Sequence, residues 1–198
     1  MKSKLFPVFL LIVGLLVAWF GGGKDIISSK QKTNTSLAEA KEIIKESKTE
    51  KASENNKQEG KNESFQVKNG ETVGILSIPK IDAELPIVEG TAAEDLSKGV
   101  GHYKGSSYPN ENGQIVLSGH RDTVFRRTGE LKHGDTLKLS LSYGEFEYKI
   151  TDTKIVDEND TSVITLQHKE EELILTTCYP FSYIGDAPER YIIYAAPI

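Results

Sequence analysis

The stretch DTLKLSLSYGEFEYKITDTKIV, residues 135–156, constrains this chain more than any other. Leu137, Leu139, Leu141 and Tyr143 alternate with polar side chains, and Phe146, Tyr148 and Ile150 resume the alternation after Gly144. Side chains on an extended strand point to opposite faces with a period of two, so the pattern buries one face and wets the other. It predicts a hairpin lying on an apolar core. Shorter signals of the same kind recur. VGILSIPKIDAELPIVEG predicts strands over residues 73–78 and 81–88, split at Pro79-Lys80, and residues 114–117, 172–177 and 190–195 are further apolar runs of strand length. Between them lie only brief helical signals: a turn over residues 91–99 with Thr91 as N-cap and Gly99 at the stop, and a piece from about Thr123 to Gly129. Many strands joined by short helices predict an all-β sandwich or a small closed barrel, and the barrel is preferred because closure leaves no unpaired edge.

Composition divides the chain into three parts. Lys2 and Lys4 precede a run from Leu5 to Phe20 without a charged or polar side chain. With Gly21–Gly23 it reaches the roughly 20 residues that span a bilayer, and the flanking lysines predict a cytoplasmic N-terminus with the remainder outside. A cleaved signal peptide is the alternative, but Ala18-Trp19-Phe20 puts a bulky residue where a cleavage site wants a small one. Residues 1–23 therefore read as a transmembrane anchor. Residues 24–64 hold nine Lys, eight Asp or Glu and no aromatic residue, a composition expected to form a flexible charged tether. Leu37, Ala40, Ile43 and Ile44 fall at helical spacing within it, which predicts either a short docked helix or, by preference, a marginal fraying one. Residues 65–198 carry every tyrosine and enough chain for one core, with 13 basic and 21 acidic residues, a net of −8. That balance argues against a nucleic-acid partner, which wants a basic face.

Cys178, in LILTTCYP, is the only cysteine, so it has no internal disulfide partner. In an exported domain a lone thiol is either packed in the core or reactive. A reactive thiol needs a base or a positive neighbour, since a free cysteine is only a few per cent thiolate at neutral pH. His133 sits in a polar turn and His168 in the charged stretch LQHKEEE, so both read as solvated loop residues. His120 ends an apolar strand in IVLSGHRDT, a position that places a polar group at the edge of a rigid frame. His102, in GVGHYKGSSYP, is a weaker candidate for the same cavity. An arginine suits the stabilisation of a carbonyl oxygen that gains charge. Arg121, Arg126, Arg127 and Arg190 are available, and Arg190 opens the last strand twelve residues beyond Cys178. Whether the strands bearing Cys178 and Arg190 are neighbours depends on a register that alternation alone leaves open.

Three ordered motifs, LSGHRDTVFR (117–126), ILTTCYPF (174–181) and APERYIIYA (187–195), resemble the sortases, membrane-anchored cysteine transpeptidases of Gram-positive cell surfaces, and most of all class D. The resemblance spans about residues 70–198. It implies an eight-stranded β-barrel, with Cys178 as nucleophile, His120 as general acid/base and Arg190 as the arginine that stabilises substrate and oxyanion. Ile174 departs from the threonine that is commonest four residues before the cysteine. The implied reaction cleaves an LPxTG-like sorting signal after its threonine and transfers the acyl group to an amine such as that of a peptidoglycan precursor. A cysteine hydrolase with water as acceptor, and a non-catalytic wall-binding barrel with Cys178 merely packed, are the alternatives. No cofactor is expected. The acidic runs at residues 157–160 and 170–172 are weak candidates for calcium and read equally well as solvated charge.

Overall fold

The computed structural model describes residues 24–53, 67–183 and 185–198. Eight strands, β1 (Thr72–Ile78), β2 (Ala83–Glu89), β3 (Val100–His102), β4 (Gln114–Ser118), β5 (Thr136–Leu141), β6 (Gly144–Asp157), β7 (Glu172–Tyr179) and β8 (Glu189–Pro197), close into a barrel in the order β1-β2-β3-β4-β7-β8-β6-β5. The β2/β3 and β4/β7 pairs are parallel and the others antiparallel. Leu137, Leu139 and Leu141 of β5 point inward and meet Tyr148 and Ile150 of β6, as the alternation requires. Leu76, Ile87, Val100, Leu117, Leu173, Leu175 and Ile193 complete the interior. β3 is three residues long and contains a glycine and a histidine, too short to register as alternation.

The outer face of the β4–β7–β8 wall carries a second, smaller apolar cluster. Val116, Ile174 and Ile192 project outward there and are covered by Val163, Ile164 and Leu166 of the connection between β6 and β7. Ile174 is fully buried in that cluster. The threonine usual at its position thus gives way to a larger apolar residue on a face that is already dry.

Two helical expectations need correction. Residues 24–53 are not a solvated tether: they form one helix, α1 (Lys24–Ser53), docked on β1 and β2. Leu37, Ala40 and Ile44, at i, i+3 and i+7, form the apolar stripe that seats on outward-facing Ile75 of β1. Thr72 donates a 2.7 Å hydrogen bond to Glu39 beside this seam. Lys41–Glu84 and Lys48–Glu145 pair across it, but both are more than half exposed and add little beyond orientation. The stripe is too narrow to stabilise a helix alone; the partner that makes it sufficient lies on another element. In the ring of eight strands β1 and β2 stand opposite β7 and β8, so α1 docks on the side of the barrel away from Cys178. The second correction concerns the piece after Thr123, which is a succession of turns ending in a 3-10 turn at Thr128–Glu130. The helix α2 (Ala93–Leu96) begins one residue later than expected, with the Ala92 N–H donating to the Asp95 carboxylate at 3.1 Å. The apolar run at residues 5–20 and the remainder of the linker, residues 54–64, lie outside the described residues. Among the described residues no helix is long and apolar enough to cross a membrane.

Two predictions arise here. Ile44→Ala removes the central contact of the α1 seam, at a cost of about 2 kcal/mol, and speeds amide exchange across residues 36–48. Turnover stays unchanged, because the helix is remote from the thiol; a fall in turnover would contradict the docking described. The second concerns alkali. Burial pushes the phenols of Tyr108, Tyr143 and Tyr148 well above the usual value, with neighbouring carboxylates, among them Glu89, Glu111 and Glu171, adding to the effect. A raised folded pKa means the unfolded chain loses these protons first. Stability is therefore full below pH ~10 and falls as pH rises above it. Denaturant titrations between pH 8 and 11 should show that decline, and Tyr148→Phe should make it shallower; an unchanged midpoint at pH 11 would refute it.

Candidate active site

The register that sequence left open brings three of the predicted residues into a row. Cys178 on β7 is the antiparallel partner of Arg190 on β8. On the other side β7 runs parallel to β4 with Ser118 opposite Thr176, and Gly119 N–H extends that ladder to the Thr176 carbonyl at 3.1 Å. His120 therefore leaves β4 at the level of Cys178, one strand spacing away, about 4.8 Å between neighbouring chains. Along β7, Leu173, Leu175 and Thr177 point inward, so Cys178 points outward. His120, Cys178 and Arg190 line one cavity of about 350 Å³ on the barrel's outer surface, together with Arg121, Asp122, Glu158 and residues 185–187. The thiol is free and half-buried, and His120 is exposed at the rim.

Local interactions hold His120 in place. The Thr177 hydroxyl, buried, donates to the Gly119 carbonyl at 2.7 Å, so Gly119 is gripped by β7 at both its N–H and its C=O. Behind it the chain turns sharply: Phe125 N–H returns to the His120 carbonyl at 3.0 Å and the Phe125 ring enters the core. A Cβ at position 119 would stand 2.6 Å from that ring, so only glycine fits. This anchored turn is the reason no helix forms after Thr123.

Arg190 is fixed by three acceptors. Nη1 donates to the carbonyls of Ala187 (2.9 Å) and Glu189 (3.0 Å), and Nη2 faces the Glu158 carboxylate at 3.3 Å. Nε–H and the second Nη2–H have no acceptor among the described residues. Glu158, read in the sequence only as part of an acidic run, is thus a neighbour of the site. No local pattern marks it, since it meets Arg190 through the β6/β8 pairing. Among the described residues the His120 ring has no hydrogen-bond partner, so nothing there plays the part of an orienting carboxylate.

His102 does not join this row. It is 1% exposed, with Nδ1 2.6 Å from Glu89 Oε2 and Nε2 3.1 Å from the Ser107 carbonyl, and its ring stacks on Tyr108. Tyr108 also donates to Glu89 at 2.6 Å. Burial alone would raise the Glu89 carboxyl, but the hydrogen bonds from His102 and Tyr108 outweigh it and hold the group below the usual range. His102 thus braces the connection between β3 and β4. His133 and His168 are exposed loop residues, and Arg127 pairs with Glu130. The acidic runs are likewise engaged internally. Asp157 and Asp160 accept from Asn159 and Ser162, Glu171 from Tyr148 and Asn110, and Glu172 from Gln114. Among the described residues no group of three or more His, Cys, Asp or Glu is arranged to hold a metal ion.

The sortase-domain family model matches residues 76–198. Sortase D of Bacillus subtilis (strain 168) is 62% identical over 193 residues, 97% of each chain. The chain belongs to the sortase family. Sortases are cysteine transpeptidases, and this one shares its closed eight-stranded barrel with solved members. A Clostridium perfringens Sortase D5 transpeptidase covers 85% of this sortase and 99% of its own chain at a TM-score of 0.68 and 26% identity. A Clostridium perfringens sortase C solved with a C-terminal cell wall sorting motif covers 82% and 89% of the two chains at a TM-score of 0.62 and 25% identity.

Proposed function

We propose that this sortase is a membrane-anchored transpeptidase of the cell surface whose nucleophile is Cys178. The observation that carries the reading is the row His120–Cys178–Arg190 across three adjacent strands around one open cavity. The thiolate sulfur attacks the threonine carbonyl of an LPxTG-like sorting signal. The carbonyl oxygen, charged in the tetrahedral intermediate, accepts from the unclaimed N–H groups of Arg190. His120 gives its proton to the departing amine, the C–N bond breaks, and a thioacyl enzyme remains. An amine, such as that of a peptidoglycan precursor, then attacks the thioester. Its proton passes to His120, the C–S bond breaks and the thiolate is restored. The sortase C solved with a sorting motif supports this choice of substrate class. The apolar run at residues 5–20 is the anchor in this reading, with the barrel outside the membrane.

His120 is exposed at the rim of the cavity and Cys178 is only half-buried, so water reaches the site as a competing acceptor. Mass spectrometry of the enzyme with a small library of LPxTG-like peptides tests both readings. An acyl adduct on Cys178 that moves to an added amine supports transpeptidation. Equal release of free acid with and without amine supports hydrolysis. No adduct with any peptide, from folded enzyme whose thiol alkylates normally, overturns the proposal.

A further inference from the structure

Arg121 follows His120 directly, and one nitrogen of its guanidinium is engaged by main chain on the far side of the cysteine strand. Nη2 donates to the carbonyls of Tyr183 at 2.8 Å and Gly185 at 2.6 Å, both in the connection between β7 and β8. One nitrogen, with its two N–H groups, therefore bridges from the exit of β4 to the loop that leaves the cysteine strand. Among the described residues of the stretch 181–186, the other hydrogen bond is the turn from Tyr183 N–H to the Pro180 carbonyl at 3.2 Å. Tyr183, Gly185 and Asp186 are exposed, and no apolar cluster includes them. A segment with so few buried contacts takes its position from its polar ties. Gly185, Asp186 and Ala187 line the cavity with Cys178; Ala187 is buried and tied to Arg190, so the exposed part of that wall, Gly185 and Asp186, is the part that Arg121 holds.

We infer that Arg121 is a positioning residue, a latch on Tyr183 and Gly185 that holds Gly185 and Asp186 as part of one wall of the peptide cleft. It sets the affinity for the sorting-signal backbone without touching the reacting atoms. The inference rests on the reading of Cys178 as nucleophile. Both arginines of the site hold main-chain carbonyls that follow β7: Arg190 those of Ala187 and Glu189, Arg121 those of Tyr183 and Gly185.

The test compares wild type, Arg121→Ala and Arg121→Lys in the full-length chain, with an LPxTG-like peptide carrying a fluorophore as probe. Arg121→Ala should speed amide exchange over residues 181–189 and raise KM about tenfold, with kcat changed less than about threefold, a split that marks lost uniform binding. Arg121→Lys, which keeps the charge but not the planar fork, should restore part of both. The melting temperature should not move, because the latch ties an exposed loop. Unchanged exchange, or faster exchange with unchanged KM, overturns the latch, and so does a fall in kcat at constant KM. If wild type turns over no peptide, the functional reading fails separately. The latch is then decided by loop exchange and by iodoacetamide alkylation of Cys178: it stands if both rise in Arg121→Ala and falls if either does not.

Discussion

Cys178→Ala should reduce both cleavage of a sorting peptide and transfer to an amine by about 10⁴-fold or more, because removal of a nucleophile leaves only the catalysis supplied by binding and charge stabilisation. The fold should survive. Cys178 points outward from β7, half-buried, and the inward neighbours Leu175 and Thr177 keep their contacts when one sulfur is lost. A stability change below about 1 kcal/mol is expected for so small a truncation away from the core. Product chromatography with peptide and amine, beside a thermal melt, checks both halves. Retention of more than a few per cent of wild-type turnover would remove Cys178 from the chemistry. It would restore the alternative of a wall-binding barrel with a packed thiol.

Arg190→Ala should lower the rate of thioacyl formation by about 10²- to 10³-fold, the usual cost of deleting one preorganised oxyanion donor. Lysine should not restore it. A single ammonium cannot keep the contacts to Ala187, Glu189 and Glu158 and still present free donors to the cavity. The ion pair with Glu158 is partly exposed, so its loss should cost little global stability. Rapid-quench measurement of the acyl adduct on Cys178 isolates this step from acceptor attack. An adduct rate within about threefold of wild type would assign Arg190 to loop structure alone. Arg121→Ala serves as a contrast, since its expected effect falls on KM.

Much of the barrel was legible because period-two alternation is a local signal. The β5–β6 hairpin, residues 73–78, and the apolar runs before Gly119 and Cys178 were all marked by their own side chains. Where the structure departs from that reading, the deciding partner is remote. α1 carries only a narrow apolar stripe, Leu37, Ala40 and Ile44, in a polar stretch, and it is a docked helix only because Ile75 offers an outward apolar surface. The turns after Thr123 form because Phe125 is pulled into the core below Gly119. His102 looked like a cleft residue from its glycine-flanked setting, and Glu89, its partner across the parallel β2/β3 pairing, buries it instead.

The site divides along the same line. Residue type and motif order singled out Cys178, His120 and Arg190, since a thiol, an imidazole and a guanidinium at strand ends are chemically recognisable from the chain. Their meeting was decided by pairing register, Cys178 against Arg190 and the β4 ladder against β7, and a slip of one residue would have turned each side chain to the other face. Glu158 beside Arg190, the Thr177 grip on Gly119 and the Arg121 latch belong wholly to the folded state. Each is a single hydrogen bond or pair between groups 32 or more residues apart, and such contacts leave no periodicity for a sequence to carry.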